Sequence, residues 1–486
     1  MSGSFSPRSI SEFHEALLSR SLTVEKVVSS YLERMAAHRG LCAYLSEFTD
    51  QALERARELD ARISGEGFDK LIEKQPLLGV PLAIKDNIHV RGERTTCASR
   101  LLENYRAPFD ATCVARLRES GAVFLGKTNL DEFAMGGSGE NSAFGPALNP
   151  LQHDRVPGGS SSGSAVAVAA DLALAALGSD TGGSIRLPAS FCGIAGLKPT
   201  YGRVSRFGLV AFGSSLDQVG PMARNVSDLA RIYEVIEGHD PRDATSARIV
   251  PSSPATSGAL ERSGPLRIGV PAEFFVDGLD PEVKATIDQI LDRLRSSGAT
   301  LVPLSLPNSV HSIPVYYVIA MAEASSNLSR YDGVRFGVRS SAASQAESLE
   351  AFYEESRALF GREVKRRILL GSFVLSAGYH DAYYRKACQV RRLIADDFLR
   401  AFEKVDVIAG PVAPGTAFRR GSLERSPLQM YLNDLYTIPA NLAGIPALSV
   451  PVGSDSAGLP IGMQLIGKPF DELTLLRAGL AVESLR

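Results

Sequence analysis

Cysteine is scarce in this sequence, with five in 486 residues: Cys42, Cys97, Cys113, Cys192 and Cys388. The number is odd, the spacing is wide and there is no CxxC. A disulfide framework is therefore not expected, and a reducing, cytoplasmic setting is. No uninterrupted apolar run reaches the roughly 18 residues of a membrane span, so no segment is placed in a bilayer. The longest candidate, AVAVAADLALAALG, is short and broken by Asp171, and reads as a buried helix leading into a strand. The stretch MSGSFSPRSISEFHEALLSR lacks the apolar centre of a signal peptide. An excess of either charge is missing too: 52 Lys and Arg stand against 54 Asp and Glu, a net charge of −2. This excludes a strongly basic nucleic-acid footprint, though not a small basic patch. There is no GxxxxGK[ST] loop, no HExxH and no GxSxG elbow. Neither ATP nor a metal ion is expected on this chain.

What is present is enough apolar residue, 44% of the chain, for one large domain or two ordinary ones. Residues 10–37 read as two helices, the second with Val24, Val27, Val28, Tyr31, Leu32 and Met35 at helical spacing and Thr23 as its cap. Residues 50–63 read as a third. The segment 77–88, LLGVPLAIKDNI, is a short apolar strand ending at Lys85 and Asp86. Residues 110–133 read helix, Gly turn, strand, loop; 196–225 read as turns; 226–238 as helix; and 239–264 as an exposed loop. Strands are expected again at LRIGVP, at 405–414 and in PALSVPVG and LPIGMQLIGKP, with helix over most of 340–400. Helices alternating with short apolar strands predict an α/β fold with a mixed or mainly parallel sheet. No repeat and no long linker divides the chain.

The segment 156–196 sets glycine and serine clusters inside an apolar run. In GSDTGGSIR, Gly182 and Gly183 have no Cβ, so successive N–H groups are free to converge on one point. Such a nest holds the oxyanion formed when Ser184 attacks a carbonyl. A tight turn packed by small residues fits the same string. GGSSSGS, 158–164, is a turn before a helix, or a way of bringing a second hydroxyl to Ser184. A serine nucleophile needs a base. The seven histidines are scattered. Lys85, at the end of its apolar strand, is the alternative, because burial lowers an amine's pKa. An ordinary strand-end lysine is equally compatible with the spacing.

Taken together, GVPLAIKDNI, GGSSSGS and GSDTGGSIRLPASFCGIAGLKPTYGRVS resemble the amidase signature family over most of the chain. The resemblance implies one α/β domain over 1–486, its central mixed β-sheet covered by helices on both faces. A helical region is expected at about 1–65 and the signature core at about 77–225. It also implies a Ser–cis-Ser–Lys triad: Ser184 as nucleophile, Ser160 as bridging serine after a cis peptide bond, and Lys85 as base. The oxyanion donors fall on the backbone of Thr181, Gly182, Gly183 and Ser184. The family string is usually GGSSGGS; here Ser162 takes the place of a glycine. Smaller departures fall at Leu130, Gly139 and Leu187, where Met, Thr and Gln are expected.

A finer resemblance, carried by GKTNLDEFAMGGSGENSAFGPALNP, EVKRRILLGSFVLSAGYHDAYYRKA and NDLYTIPANLAGIPALSVP among others, is to the glutamine-hydrolysing subunits of tRNA-dependent amidotransferases. It implies ammonia release from glutamine and its delivery to a partner that amidates Glu-tRNA(Gln) or Asp-tRNA(Asn). The implied partners are the B and C components of a heterotrimeric amidotransferase. ATP and Mg2+ belong to the B component, which also holds most of the mischarged tRNA. No membrane is involved. Free glutamine carries a carboxylate and an ammonium, which need a cation and an anion. The resemblance suggests an Arg of KRRI, Arg366 in preference to Arg367, and the Asp of NDLYT, Asp434. A stand-alone amidase acting on small amides is the alternative; it would keep the triad and lack the glutamine-binding pair.

Overall fold

The Val-, Ile-, Leu- and Ala-rich segments pair into one sheet in the computed structural model, which describes residues 6–252, 260, 264–275, 277–339, 341–423 and 426–486. Its 11 strands are β1 (Tyr44–Glu47), β2 (Pro81–Lys85), β3 (Val123–Thr128), β4 (Ala175–Asp180), β5 (Ala195–Lys198), β6 (Gln218–Ala223), β7 (Arg267–Pro271), β8 (Thr300–Leu304), β9 (Val407–Pro411), β10 (Ala447–Ser454) and β11 (Pro460–Gly467). Their spatial order is β1-β3-β2-β4-β6-β5-β10-β11-β9-β7-β8. The sheet is mixed. β3, β2 and β4 run parallel, as do β9, β7 and β8. The strands from β4 across to β9 pair antiparallel, so the sheet is not mainly parallel.

Helices cover both faces, and the period-2 alternation of a strand divides the core between them. In β9, Val407 and Ala409 join a cluster with Val283, Ile287 and Leu291, while Ile408 between them packs with Ile394 and Phe398. The N-terminal helices Ile10–Leu18 and Val24–Ala37 bury their apolar stripes in the first of these clusters. Each has a side-chain cap: Ser9 accepts from Glu12 N–H and Thr23 from Lys26 N–H. The helix Ser162–Ala169 is buried through its first seven residues and feeds β4, as the apolar run 165–178 predicts.

Two expectations need correction. The turn-rich reading of 196–225 hides β6, a central strand. Its Gly220 and Pro221 look like strand breakers, yet they pair with Gly178 and Leu177 of β4. A Cβ on Gly220 would collide with the Leu197 carbonyl of the neighbouring segment, so glycine here permits close strand approach. The loop 239–264 is not uniformly exposed. Asp240, Asp243 and Ser246 are buried, Asp240 accepting from Ser205 Oγ at 2.7 Å and Asp243 from Arg206 N–H at 2.8 Å. Residues 253–259 and 261–263 of that loop lie outside the described residues.

Gly220→Ala is expected to lower stability by about 1–3 kcal/mol, the usual penalty for overpacking. Urea unfolding of the wild type and the variant measures it. An unchanged midpoint would mean that β6 yields locally.

Candidate active site

Parallel pairing of β2 with β4 sets Ile84 opposite Leu177, so Lys85, the last residue of β2, and Ser179, near the end of β4, come together. The start of the Ser162–Ala169 helix brings Ser160 and Ser161 to the same point. Lys85 is fully buried. Its Nζ lies 2.8 Å from Ser160 Oγ, 2.8 Å from Ser161 Oγ, 2.9 Å from Ser179 Oγ and 3.3 Å from the Ser179 carbonyl. The peptide bond between Gly159 and Ser160 is cis. Burial pulls the amine's pKa down to about 7, against the raising influence of Asp131, Asp180 and Asp217. Lys85 thus changes its charge state near neutrality.

A neutral amine has two N–H donors and one lone pair. Ser161 Oγ donates to the Ser179 carbonyl at 3.1 Å, so toward Lys85 it accepts. Ser179 Oγ also receives an N–H of Asn87 at 2.9 Å. With both amine protons directed to Ser161 and Ser179, the lone pair is left for the Ser160 hydroxyl. Ser184 is the outermost of the three, 7% exposed where Lys85 and Ser160 are sealed. No hydrogen bond joins its hydroxyl to Ser160; the two segments are tied by Ser161 N–H to the Ser184 carbonyl at 3.1 Å.

The loop 181–185 is shaped by a buried ion pair. Asp180 accepts from Gly183 N–H at 2.9 Å, Ile185 N–H at 3.1 Å and Asn441 Nδ2 at 2.8 Å. Arg186, fully buried, uses all five guanidinium donors: two on Asp180, and one each on the Thr437 carbonyl, Gln464 Oε1 and Asn441 Oδ1. Burial would raise the Asp180 carboxyl, but Arg186 and the other donors hold it at about 2. On the far side, Asp217 accepts from Thr181 Oγ1 at 2.7 Å. Of the expected oxyanion donors, Gly183 N–H is therefore turned onto Asp180.

Asp434 is brought to this loop and Arg366 is not. The Cβ position of Gly183 would lie 3.3 Å from Asp434 Oδ1, and that of Gly137 3.6 Å from its Oδ2. Burial lifts the Asp434 carboxyl to about 8, opposed mainly by the charge of Arg367. Arg367 has a side chain only 5% exposed, stands 2.9 Å from Glu363 Oε1 and is caged by the rings of Phe212, Tyr317 and Tyr431 at 5.5–5.9 Å. Arg366, with 31% of its side chain exposed, turns outward to the other Glu363 oxygen at 2.6 Å. A cavity of about 390 Å³ opens beside the two arginines, lined with them by Gly136, Ser138, Asn141, Glu363 and Tyr431.

The Amidase family pattern matches residues 26–476. The chain is 57% identical to the A subunit of the glutamyl-tRNA(Gln) amidotransferase of Acidobacterium capsulatum, over 95% of this chain and 96% of that one. This chain belongs to the Amidase family. Solved amidase-fold structures agree. The A subunit of the Thermotoga maritima glutamyl-tRNA(Gln) amidotransferase superposes with a TM-score of 0.72 at 42% identity, covering 96% of this chain and 95% of that one. The peptide amidase of Stenotrophomonas maltophilia does so with 0.81 at 32%, covering 98% and 96%.

Ser161, Ser179, Asn87 and Asp217 escaped the reading of this amidase from its sequence. Only the run of three serines at 160–162 and the Ser before Asp180 hinted at them. Among the described residues no His, Cys, Asp and Glu cluster could hold a metal ion, and no helix is long and apolar enough to cross a membrane. All five cysteines are free.

Arg186→Met is expected to cost about 3–5 kcal/mol, because it strands the buried Asp180 charge. A double change with Asp180→Leu should recover part of the loss. Chemical denaturation of the three variants is the check; strict additivity would refute the coupling.

Proposed function

We propose that this chain is the glutamine-hydrolysing component of a cytoplasmic tRNA-dependent amidotransferase. The observation that carries the reading is near full-length identity of 57% to the A subunit of a known amidotransferase, on a chain whose buried lysine meets a serine hydroxyl 2.8 Å away. In this reading Ser184 Oγ attacks the glutamine carboxamide carbon. Its proton passes to Ser160 as the Ser160 proton passes to the lone pair of Lys85. The oxyanion is held by N–H groups of Thr181, Gly182 and Ser184, Gly183 N–H being used by Asp180. The C–N bond then breaks as the relay returns the proton to the leaving nitrogen, and ammonia departs. Water, deprotonated by the same relay, releases glutamate and restores Ser184.

Arg367, rather than Arg366, is assigned the substrate carboxylate, and Asp434 the ammonium. Burial argues for this choice: a charge held in an aromatic cage beside the site loses less to solvent than one turned outward. Asp434 grips an ammonium only when ionised. With its pKa raised to about 8, glutamine binding below that pH expels a proton. Ammonia would pass to the B component, where ATP and Mg2+ act and the mischarged tRNA is held, with the C component completing the heterotrimer. No residue of this chain is assigned to those partners.

Three outcomes test the reading. Ser184→Ala should abolish glutamine-dependent amidation by the assembled complex and spare the ammonia-dependent reaction; equal loss of both in an intact complex would refute the division of labour. Glutaminase kcat/KM should climb with pH across about 7 to about 8, where Lys85 loses its proton and Asp434 ionises. Lys85→Arg should be nearly inactive at every pH, since guanidinium keeps its proton. A bell lacking that acid limb, or an active Arg variant, would require another base. Arg367→Ala should raise the KM for glutamine by about 10- to 10²-fold, the worth of a charge-assisted bond. Arg366→Ala should change it less than about threefold, as for a surface pair. The reverse ranking, by steady-state kinetics, would restore Arg366.

A further inference from the structure

Asp131 lies behind Ser160, fully buried, and the relay as derived makes no use of it. Glycines enclose its carboxylate. A Cβ on Gly136 or on Gly159 would collide with it. The loop that follows closes over it: Gly139 N–H donates to Oδ2 at 3.0 Å, and Asn141 donates to Oδ1 from its backbone at 3.0 Å and its side chain at 3.1 Å. All three contacts are donors, the pattern of an ionised carboxylate. Asp131 also gives its own N–H to the Ser160 carbonyl at 3.2 Å, and Gly159 N–H reaches the Gly137 carbonyl at 2.8 Å. One residue thus grips the segment that carries the bridging hydroxyl and the loop that abuts Asp434.

We propose that Asp131 is a positioning residue of the hydrolytic relay: its carboxylate, clasped by residues 139–141 and seated on Gly159, fixes the Ser160 hydroxyl against Lys85. The departures at Gly139 and Ser162 fit this arrangement as one unit. A Cβ on Gly139 would fall 2.6 Å from Ser162 Cβ, so the bare backbone that reaches Asp131 is also the backbone that makes room for Ser162. The anion has a second effect. Asp131 is the foremost charge favouring the ammonium form of Lys85, ahead of the carboxylates of Asp180 and Asp217.

The inference rests on the serine-relay reading, and its test does not depend on glutamine as substrate. The rate at which a fluorophosphonate labels Ser184 of the full-length chain, from about pH 5.5 to about 9, reports the relay directly. Glutamine hydrolysis is followed in parallel with the partner subunits present. Asp131→Asn keeps the size, loses the charge and sets an amide N–H₂ against backbone donors. Its labelling rate and kcat should fall by on the order of 10²-fold, the effect of a misplaced reacting group, with KM little changed. Its acid limb should move to lower pH, because the charge that favoured the ammonium is gone. Asn141→Ala removes one donor and keeps the charge; it should lower the rate severalfold and leave the limb where it was. It carries the test if the Asn variant does not fold. Unchanged labelling per folded molecule in Asn141→Ala, a limb that stays put in Asp131→Asn, or a loss confined to KM would each overturn the proposal. A wild type labelled at Ser184 that leaves glutamine intact would refute the substrate and not this role.

Discussion

The ion pair between Arg186 and Asp180 is the constraint from which the rest of the site follows. Neither side chain reaches solvent, so every donor and acceptor on them must be met inside the protein. Meeting them fixes geometry. Asp180 curls the Gly183–Ile185 backbone around its oxygens. Arg186 ties that curl to the segment 437–441 and to Gln464 on β11. Thr437, held in the same network, donates to the Gly182 carbonyl at 2.7 Å, and Asp434 stands one turn before it. The candidate nucleophile loop and the candidate ammonium-binding group are thereby tied to one saturated guanidinium.

Against that rigid loop the amine of Lys85 is placed by the sheet rather than by the loop. The parallel strands β2 and β4 bring together a lysine at the end of one and a serine near the end of the other. Burial then tunes the amine without help from a neighbouring cation: it removes the hydration that favours an ammonium. Three carboxylates, Asp131, Asp180 and Asp217, pull the other way and strengthen the amine's hold on its proton. The balance lands near 7, in the range where a base changes state under mild conditions.

Candidates standing in distinctive local strings were the legible ones. Lys85, Ser160 and Ser184 stand in strings of glycine, serine and apolar residues whose composition is odd enough to notice. The elements with strong periodicity or caps, such as Val24–Ala37 with Thr23, were equally plain. What failed to show depended on partners far along the chain. β6 contains Gly220 and Pro221, and only its neighbours β4 and β5 make that composition acceptable in a strand. Arg366 and Arg367 are adjacent and chemically identical; about 100° of helix rotation separates them, and which one faces inward is decided by Tyr317 and Tyr431, not by the arginines. Asp131 sits in an ordinary acidic dipeptide, and its importance comes from glycines at 136 and 159 that leave it room.

The guanidinium of Arg186 has a consequence for how the molecule comes into being. Lys85, Ser160 and Ser184 lie in the first two-fifths of the chain, but three of the five acceptors on Arg186 are contributed by Thr437, Asn441 and Gln464. A growing chain that has not yet emitted residues 437–464 carries Lys85, Ser160 and Ser184 and none of these three acceptors. Such pairings, more than 250 residues apart in sequence, are non-local, and loop entropy must be met before they contribute. The candidate catalytic centre in that sense depends on the far end of the chain: without residues 437–464, three of the acceptors that order the Arg186 side chain are missing.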